Sequence, residues 1–152
     1  MSADGESDDT IRRLLTATRR IALVGASMKP WRASHGVMRF LLEHDFDVAP
    51  VNPLLAGQEL HGRTVVGGLA DAAPLEMIDV FRNSSHTSAL VDDAIRLGAT
   101  SIWMQLGVID HEAASRACAA GLTVVMDRCP VIEDRRLGLF AARRGGIGPV
   151  SH

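Results

Sequence analysis

A chain of 152 residues, 47% apolar and 22% charged, has the composition of one globular domain with enough apolar side chains for a substantial core. Its formal charge of −2 gives no electrostatic reason to expect nucleic acid or an anionic membrane as partner, and no apolar run reaches the roughly 20 residues a spanning helix needs. Two cysteines, Cys118 and Cys129, are too few for a disulfide scaffold, and the acidic start is the opposite of a signal peptide, so a reducing cytoplasm is the expected compartment.

Residues 1–9 are acidic and polar and are expected to be disordered. Ile11, Leu14 and Leu15 at helical spacing predict a short helix from Thr10 to Thr18. A first buried strand follows over Arg20 to Gly25, then a helix from Ser34 to His44 with Val37, Phe40 and Leu41 on one face. Asp47 to Val51 is a second strand, stopped by Asn52-Pro53. Residues 54–73 are glycine-rich and irregular, with Thr64-Val65-Val66 as a candidate short strand. Met77 to Phe81 is a third core strand, followed by a helix from Ser85 to Leu97 that Gly98 closes. Ser101 to Gln105 is a fourth strand. Asp110 caps the next helix, which runs to about Ala120 and ends at Gly121, and Leu122 to Met126 is the fifth strand. Residues 139–152 read as a flexible tail, leaving one domain over 10–138 with no repeat and no internal linker.

Continuous apolar strands alternating with amphipathic helices predict an α/β fold. The expected form is a doubly wound, mostly parallel, Rossmann-like sheet of five to six strands with helices on both faces. In such sheets the ligand lies at the carboxyl ends of the strands, beside the switch point. Four polar or glycine-containing strand ends converge there: Gly25-Ala26-Ser27, Asn52-Pro53, Phe81-Arg82-Asn83 and Gln105-Leu106-Gly107.

The first of these carries the most information. A buried strand ending in Gly25, Ala26 and Ser27 and opening onto a helix is how such domains hold a diphosphate, because small residues let the anion approach backbone N–H groups. An ordinary tight turn is the plainer alternative. Lys29 and Arg32 lie in the following loop, where either could neutralise an anion or simply be solvated, and Ser34 is placed to cap the helix. The dinucleotide fingerprint G-x-G-x-x-G is absent, and the second strand ends in Asn52-Pro53 without the acid that takes ribose hydroxyls in NAD sites. Arg82 places a cation at the third strand tip, and Gln105 and Gly107 offer amide and backbone groups at the fourth. Trp103 reads as core. The histidines form no metal-like cluster, although His35 and His86 could assist phosphate binding. Cys129, beside Arg128 after the fifth strand, is either a reactive thiolate or, as favoured here, a small core residue. No catalytic constellation emerges, so no enzyme activity is expected.

Taken in order, Val24-Gly25-Ala26-Ser27, Pro30-Trp31-Arg32-Ala33-Ser34, Val48 to Pro53, Asp79-Val80-Phe81-Arg82, Trp103 to Val108 and Val125 to Cys129 resemble the small stand-alone CoA-binding proteins. Their domain is similar to the CoA-binding domain of the succinyl-CoA synthetase α subunit. The resemblance covers about residues 10–138. It implies that Gly25, Ala26, Ser27 and the helix start at Ser34 hold the CoA diphosphate, with Lys29 or Arg32 pairing its charge. It further implies Asn52 and Pro53 against the adenosine end, and Phe81, Arg82, Gln105 and Gly107 along the pantetheine arm. The synthetases also use a second domain and a nucleotide-grasping subunit, which the residues after the fifth strand are too few to supply. The expected function is therefore a non-catalytic module binding coenzyme A or a short acyl-CoA. The alternatives are an NAD(H)-binding redox protein and a CoA-binding subunit of an acyl-CoA ligase, as a homo-oligomer or with a partner chain.

Overall fold

The protein is described here by a computed structural model covering residues 7–140. In chain order the elements are α1 (Asp8–Ala17), β1 (Arg20–Val24), α2 (Ala33–Glu43), β2 (Asp47–Val51), β3 (Glu59–Leu60) and β4 (Arg63–Thr64). They continue with β5 (Met77–Val80), α3 (Thr87–Arg96), β6 (Ser101–Met104), α4 (His111–Ala119), β7 (Thr123–Val125) and α5 (Pro130–Leu137). Five strands form one sheet in the order β2-β1-β5-β6-β7, and every pairing in it is parallel. The chain thus winds outward in one direction to β2, then reverses across β1 to β5, which puts the switch point between β1 and β5. The doubly wound reading holds, with five strands rather than six.

Side chains alternate across this sheet and feed two apolar layers. Ala22, Val24, Ile78, Val80, Ile102, Met104 and Val124 pack against α3 and α4, whose alanines at positions 94, 113, 114 and 117 let the backbones approach closely. Ile21, Leu23, Met77, Trp103 and Val125 face the other way, onto α1, α2 and α5. Because both faces are covered, the strands read as nearly continuous apolar runs, with Asp79 in β5 the exception among their central residues.

Helix ends follow the local chemistry. Asp110 accepts from the Ala113 N–H at the start of α4, and Gly98 and Gly121 follow α3 and α4 in left-handed conformations. The Asp47 carboxylate at the start of β2 holds Arg63 of the β3–β4 hairpin and Arg20 of β1, each at 2.5 Å, and both bonds keep it below the usual carboxylate range. Val66 lines the outer edge of β2: it donates to Pro50 O and its carbonyl accepts from Asn52 N. The edge position also explains how a proline fits inside β2.

Several expectations need correction. Asp8 and Asp9, assigned to a disordered start, form the first turn of α1, and Ser7 caps it through a bond from Thr10 N; residues 1–6 lie outside the described residues. Leu139 and Phe140, assigned to a tail, are buried, with the Phe140 ring against Phe40, His44 and Phe46. The remainder of that segment, 141–152, is outside the described residues. Helix α5 has no counterpart in the sequence reading, since its apolar periodicity is weak. The helix placed from Ser85 begins at Thr87, after a 3-10 turn over Ser84–His86. The short strand expected at 64–66 is divided between β4 and the Val66 bridge. Among the described residues no helix is long and apolar enough to cross a membrane.

Candidate functional site

The carboxyl edge of the sheet is assembled from close contacts between loops that are distant in sequence. Gly25 ends β1 with φ +96°, and its N–H donates to Val51 O of the neighbouring strand at 3.0 Å. A Cβ at this position would lie 3.1 Å from Phe81 Cβ, 3.2 Å from the Phe81 carbonyl carbon and 3.3 Å from Arg82 Cδ. The turn after β1 therefore lies directly on the tip of β5, across the switch point, and only glycine allows it. Phe81 and Arg82 are half-buried at this contact.

The second tie is Asn52. Its amide nitrogen donates to Ala26 O at 2.8 Å, and its Oδ1 accepts from Leu54 N at 2.9 Å, starting the 3-10 turn Pro53–Leu55. Both ends of the side chain are thus committed to joining the β1 and β2 loops, a positioning task, while Pro53 stands exposed beside it. Replacing Asn52 with Ala removes two hydrogen bonds, one at a half-buried position. A loss of about 1–2 kcal/mol is expected, measured as a shift in the urea midpoint; an unchanged midpoint would show that the two loops are held together by other contacts.

The remaining candidates divide into groups facing the edge and groups drawn into the fold. Ser27 is half-buried and its Oγ accepts from Lys29 N at 3.1 Å, which shapes the turn. Lys29 and Arg32 are exposed. Arg32, not Ser34, occupies the N-cap position of α2, with no side-chain cap, so the helix start keeps its N–H groups uncovered by side-chain oxygen. Ser34 is the second residue of α2 and is 4% exposed, which corrects its expected capping role. Arg82 donates through Nη2 toward His86 Nε2 at 3.3 Å, a contact that requires the neutral imidazole with its proton on Nδ1.

Gln105 is 4% exposed, and its Oε1 has no hydrogen-bond partner; it follows β6 on the same side as Trp103 rather than opening outward. The Gly107 N–H, expected to be offered to a ligand, donates to Asp127 Oδ1 at 2.7 Å. Asp127, at φ +61°, thereby ties the β6 and β7 loops as Asn52 ties those of β1 and β2. Nothing in the sequence around Asp127 marked it for this task. Cys129 is 8% exposed in the α2–α5 core layer and occupies the N-cap position of α5, in keeping with the small-core-residue reading. It also borders a groove of about 430 Å³ between α2 and α5, whose upper end is Arg32 and Ala33. The His35 ring lies against His61 with centroids 4.3 Å apart and the planes tilted by 60°, and burial together with that neighbour lowers its pKa. No group of three or more metal-ligating side chains exists among the described residues.

Asp79 is the group the sequence reading left without a role. It lies in the middle of β5, 0% exposed, with Leu23 and Trp103 on either side in register and no hydrogen bond to either carboxyl oxygen. Burial pushes its pKa well above the ordinary carboxylate value.

What the edge offers chemically is a small-residue turn, an uncapped helix start and cations from two loops around the switch point. That arrangement suits a phosphate-bearing ligand. Comparisons with known proteins agree with it. The CoA binding domain family matches residues 19–135. The Bacillus subtilis (strain 168) protein YneT, described as uncharacterized, is 32% identical over 120 residues, 78% of this chain and 87% of its own length. A hypothetical protein from Pyrococcus horikoshii OT3 superposes with a TM-score of 0.83 at 40% identity, covering 90% of this chain and 96% of that one. The acetyl-coenzyme A synthetase 1 of Ca. Korarchaeum cryptofilum shares the fold alone, at 22% identity and TM-score 0.64 over 76% of this chain and 27% of its own. A match over most of the chain, on a fold whose glycine turn is packed against the third core strand, establishes that this protein belongs to the CoA binding domain family.

Proposed function

We propose that the protein binds coenzyme A, or a short acyl-CoA, as a non-catalytic module. The observation that carries this reading is the turn at Gly25, pressed against Phe81 and Arg82 beside the uncapped start of α2. In this reading the diphosphate lies against Ala26, Ser27 and the α2 N-terminus, with Arg82 and Arg32 balancing its charge. The nucleoside then extends toward the β2 tip at Pro53, and the pantetheine arm toward the β5 and β6 tips. Ser34, Asn52, Gln105 and Gly107 support this surface from behind. A small-molecule nucleotide is the partner proposed. The end of β2 carries Asn52 and no acid, which favours CoA over NAD(H).

Titration of ligand-free protein with CoA, acetyl-CoA and NAD⁺ under reducing conditions tests this directly. CoA binding without an NAD⁺ signal is the expected result, and NAD⁺ binding with no CoA signal would overturn it. Arg82→Ala is expected to weaken CoA roughly tenfold or more, the size of a lost charge-assisted bond. Its unfolding free energy should stay within about 0.5 kcal/mol of wild type, because the side chain's contact is the long one to His86. Equal affinity in both proteins would remove Arg82 from the site.

A further inference from the structure

We propose that Trp31 is the platform on which the adenine base of the nucleotide stacks, an inference that rests on the nucleotide reading above. Trp103, the other tryptophan, is fully buried, whereas Trp31 is 77% exposed in the loop between the β1 turn and α2. The Lys29 ammonium lies 6.0 Å from its ring centroid, and the ring is otherwise open to solvent.

Its surroundings narrow what such a ring is for. The Asn52–Ala26 bond fastens the β1 loop to the β2 tip, and that tip presents Leu54, 88% exposed, next to Pro53. Among the described residues, five of the six exposed large apolar side chains, Met28, Trp31, Leu54, Leu106 and Ile109, stand on loops at the carboxyl edge. Trp31 and Leu54 belong to the half of that edge over β1 and β2, whereas Arg82 follows β5. A diphosphate held at the α2 start puts its nucleoside on this half. A purine has the chemistry that fits: a flat π face for an indole and an apolar edge for an aliphatic neighbour. Loss of the exposed ring should leave folding intact, so the side chain can be tested without disturbing the core.

Wild type, Trp31→Ala and Trp31→Phe are titrated with CoA, NAD⁺ and 4′-phosphopantetheine, which lacks the nucleoside. Trp31→Ala is expected to weaken CoA about tenfold, within the range of base–aromatic stacking. Trp31→Phe should recover most of that loss, and phosphopantetheine should bind all three proteins alike. CoA should also quench the emission of the exposed tryptophan, a signal absent from Trp31→Ala because Trp103 is out of reach. CoA affinity unchanged in Trp31→Ala, or an equal loss with phosphopantetheine, would overturn the stacking role. Wild type that takes NAD⁺ and not CoA, with the same dependence on Trp31, would support stacking while removing the CoA reading. Wild type that binds neither would overturn both.

Discussion

Asp79→Asn is expected to remove a slope from the pH dependence of stability. The folded state holds the Asp79 carboxyl away from water with no partner, so its pKa is raised, whereas in the unfolded chain it ionises near 3.9. Between those two values the folded protein keeps a proton that the unfolded chain has released. The unfolded state therefore gains as pH rises. Wild type should lose about 1.4 kcal/mol per pH unit from roughly pH 4 upward until the native pKa is reached. The contribution is fully present below pH 4. The asparagine variant lacks this proton, so the difference between the two stability curves should open progressively in its favour. Asp79→Val goes further. It replaces two unsatisfied oxygens by methyl groups between Leu23 and Trp103, and should stabilise the protein at neutral pH by about 2 kcal/mol or more. Urea denaturation from pH 4 to pH 8 decides the matter. Parallel curves for wild type and Asp79→Asn would show that the carboxyl finds a partner in solution.

Gly25→Ala is expected to damage both folding and ligand binding. At φ +96° an L residue is strained by about 1–2 kcal/mol. The new Cβ must also displace Phe81 or Arg82, including backbone, from contacts of 3.1 to 3.3 Å, at about 1–3 kcal/mol more. A total of roughly 2–5 kcal/mol follows from these two costs. The shift of the β5 tip should also carry Arg82 out of place, so CoA affinity should fall well beyond what Arg82→Ala alone removes. Gly57 supplies the control. Its φ is +92°, but no heavy atom lies within 4 Å of the Cβ an alanine would add. Gly57→Ala should therefore show the strain without the collision, about 1–2 kcal/mol, with CoA binding intact. Two variants with equal costs and equal binding would mean that the close approach between the β1 turn and β5 has no consequence.

Most of the secondary structure was legible from the chain alone, because its causes are local. Short apolar stretches mark β1, β2, β5 and β6, broken only by Asp79 in β5, while glycines stop α3 and α4 and Asp110 caps α4. The meeting of the strand ends at Gly25, Asn52, Arg82 and Gln105 was equally visible, since parallel strands linked by helices must bring their carboxyl ends to one edge. Helix α5 escaped because Pro-Val-Ile-Glu-Asp-Arg-Arg-Leu has little amphipathic pattern, and it is secured by contacts that arrive from far away, such as Arg136 with Asp8 at 2.7 Å.

Which polar groups face outward was decided by the tertiary structure. Asn52 and Gly107 read as ligand donors, yet one is occupied by Ala26 and Leu54 and the other by Asp127. Asp79 in β5 and Gln105 just after β6 follow an alternation that turns them inward, to the side of Met77 and Trp103. The reason is physical. Strand and helix propensity depend on neighbours in sequence, whereas a side chain's partner depends on which loops the sheet order brings together. That order, β2-β1-β5-β6-β7, is set by packing between elements dozens of residues apart. The sequence determined the elements and the edge at which their carboxyl ends meet; the packing between those elements determined which polar groups on that edge remain free to face outward.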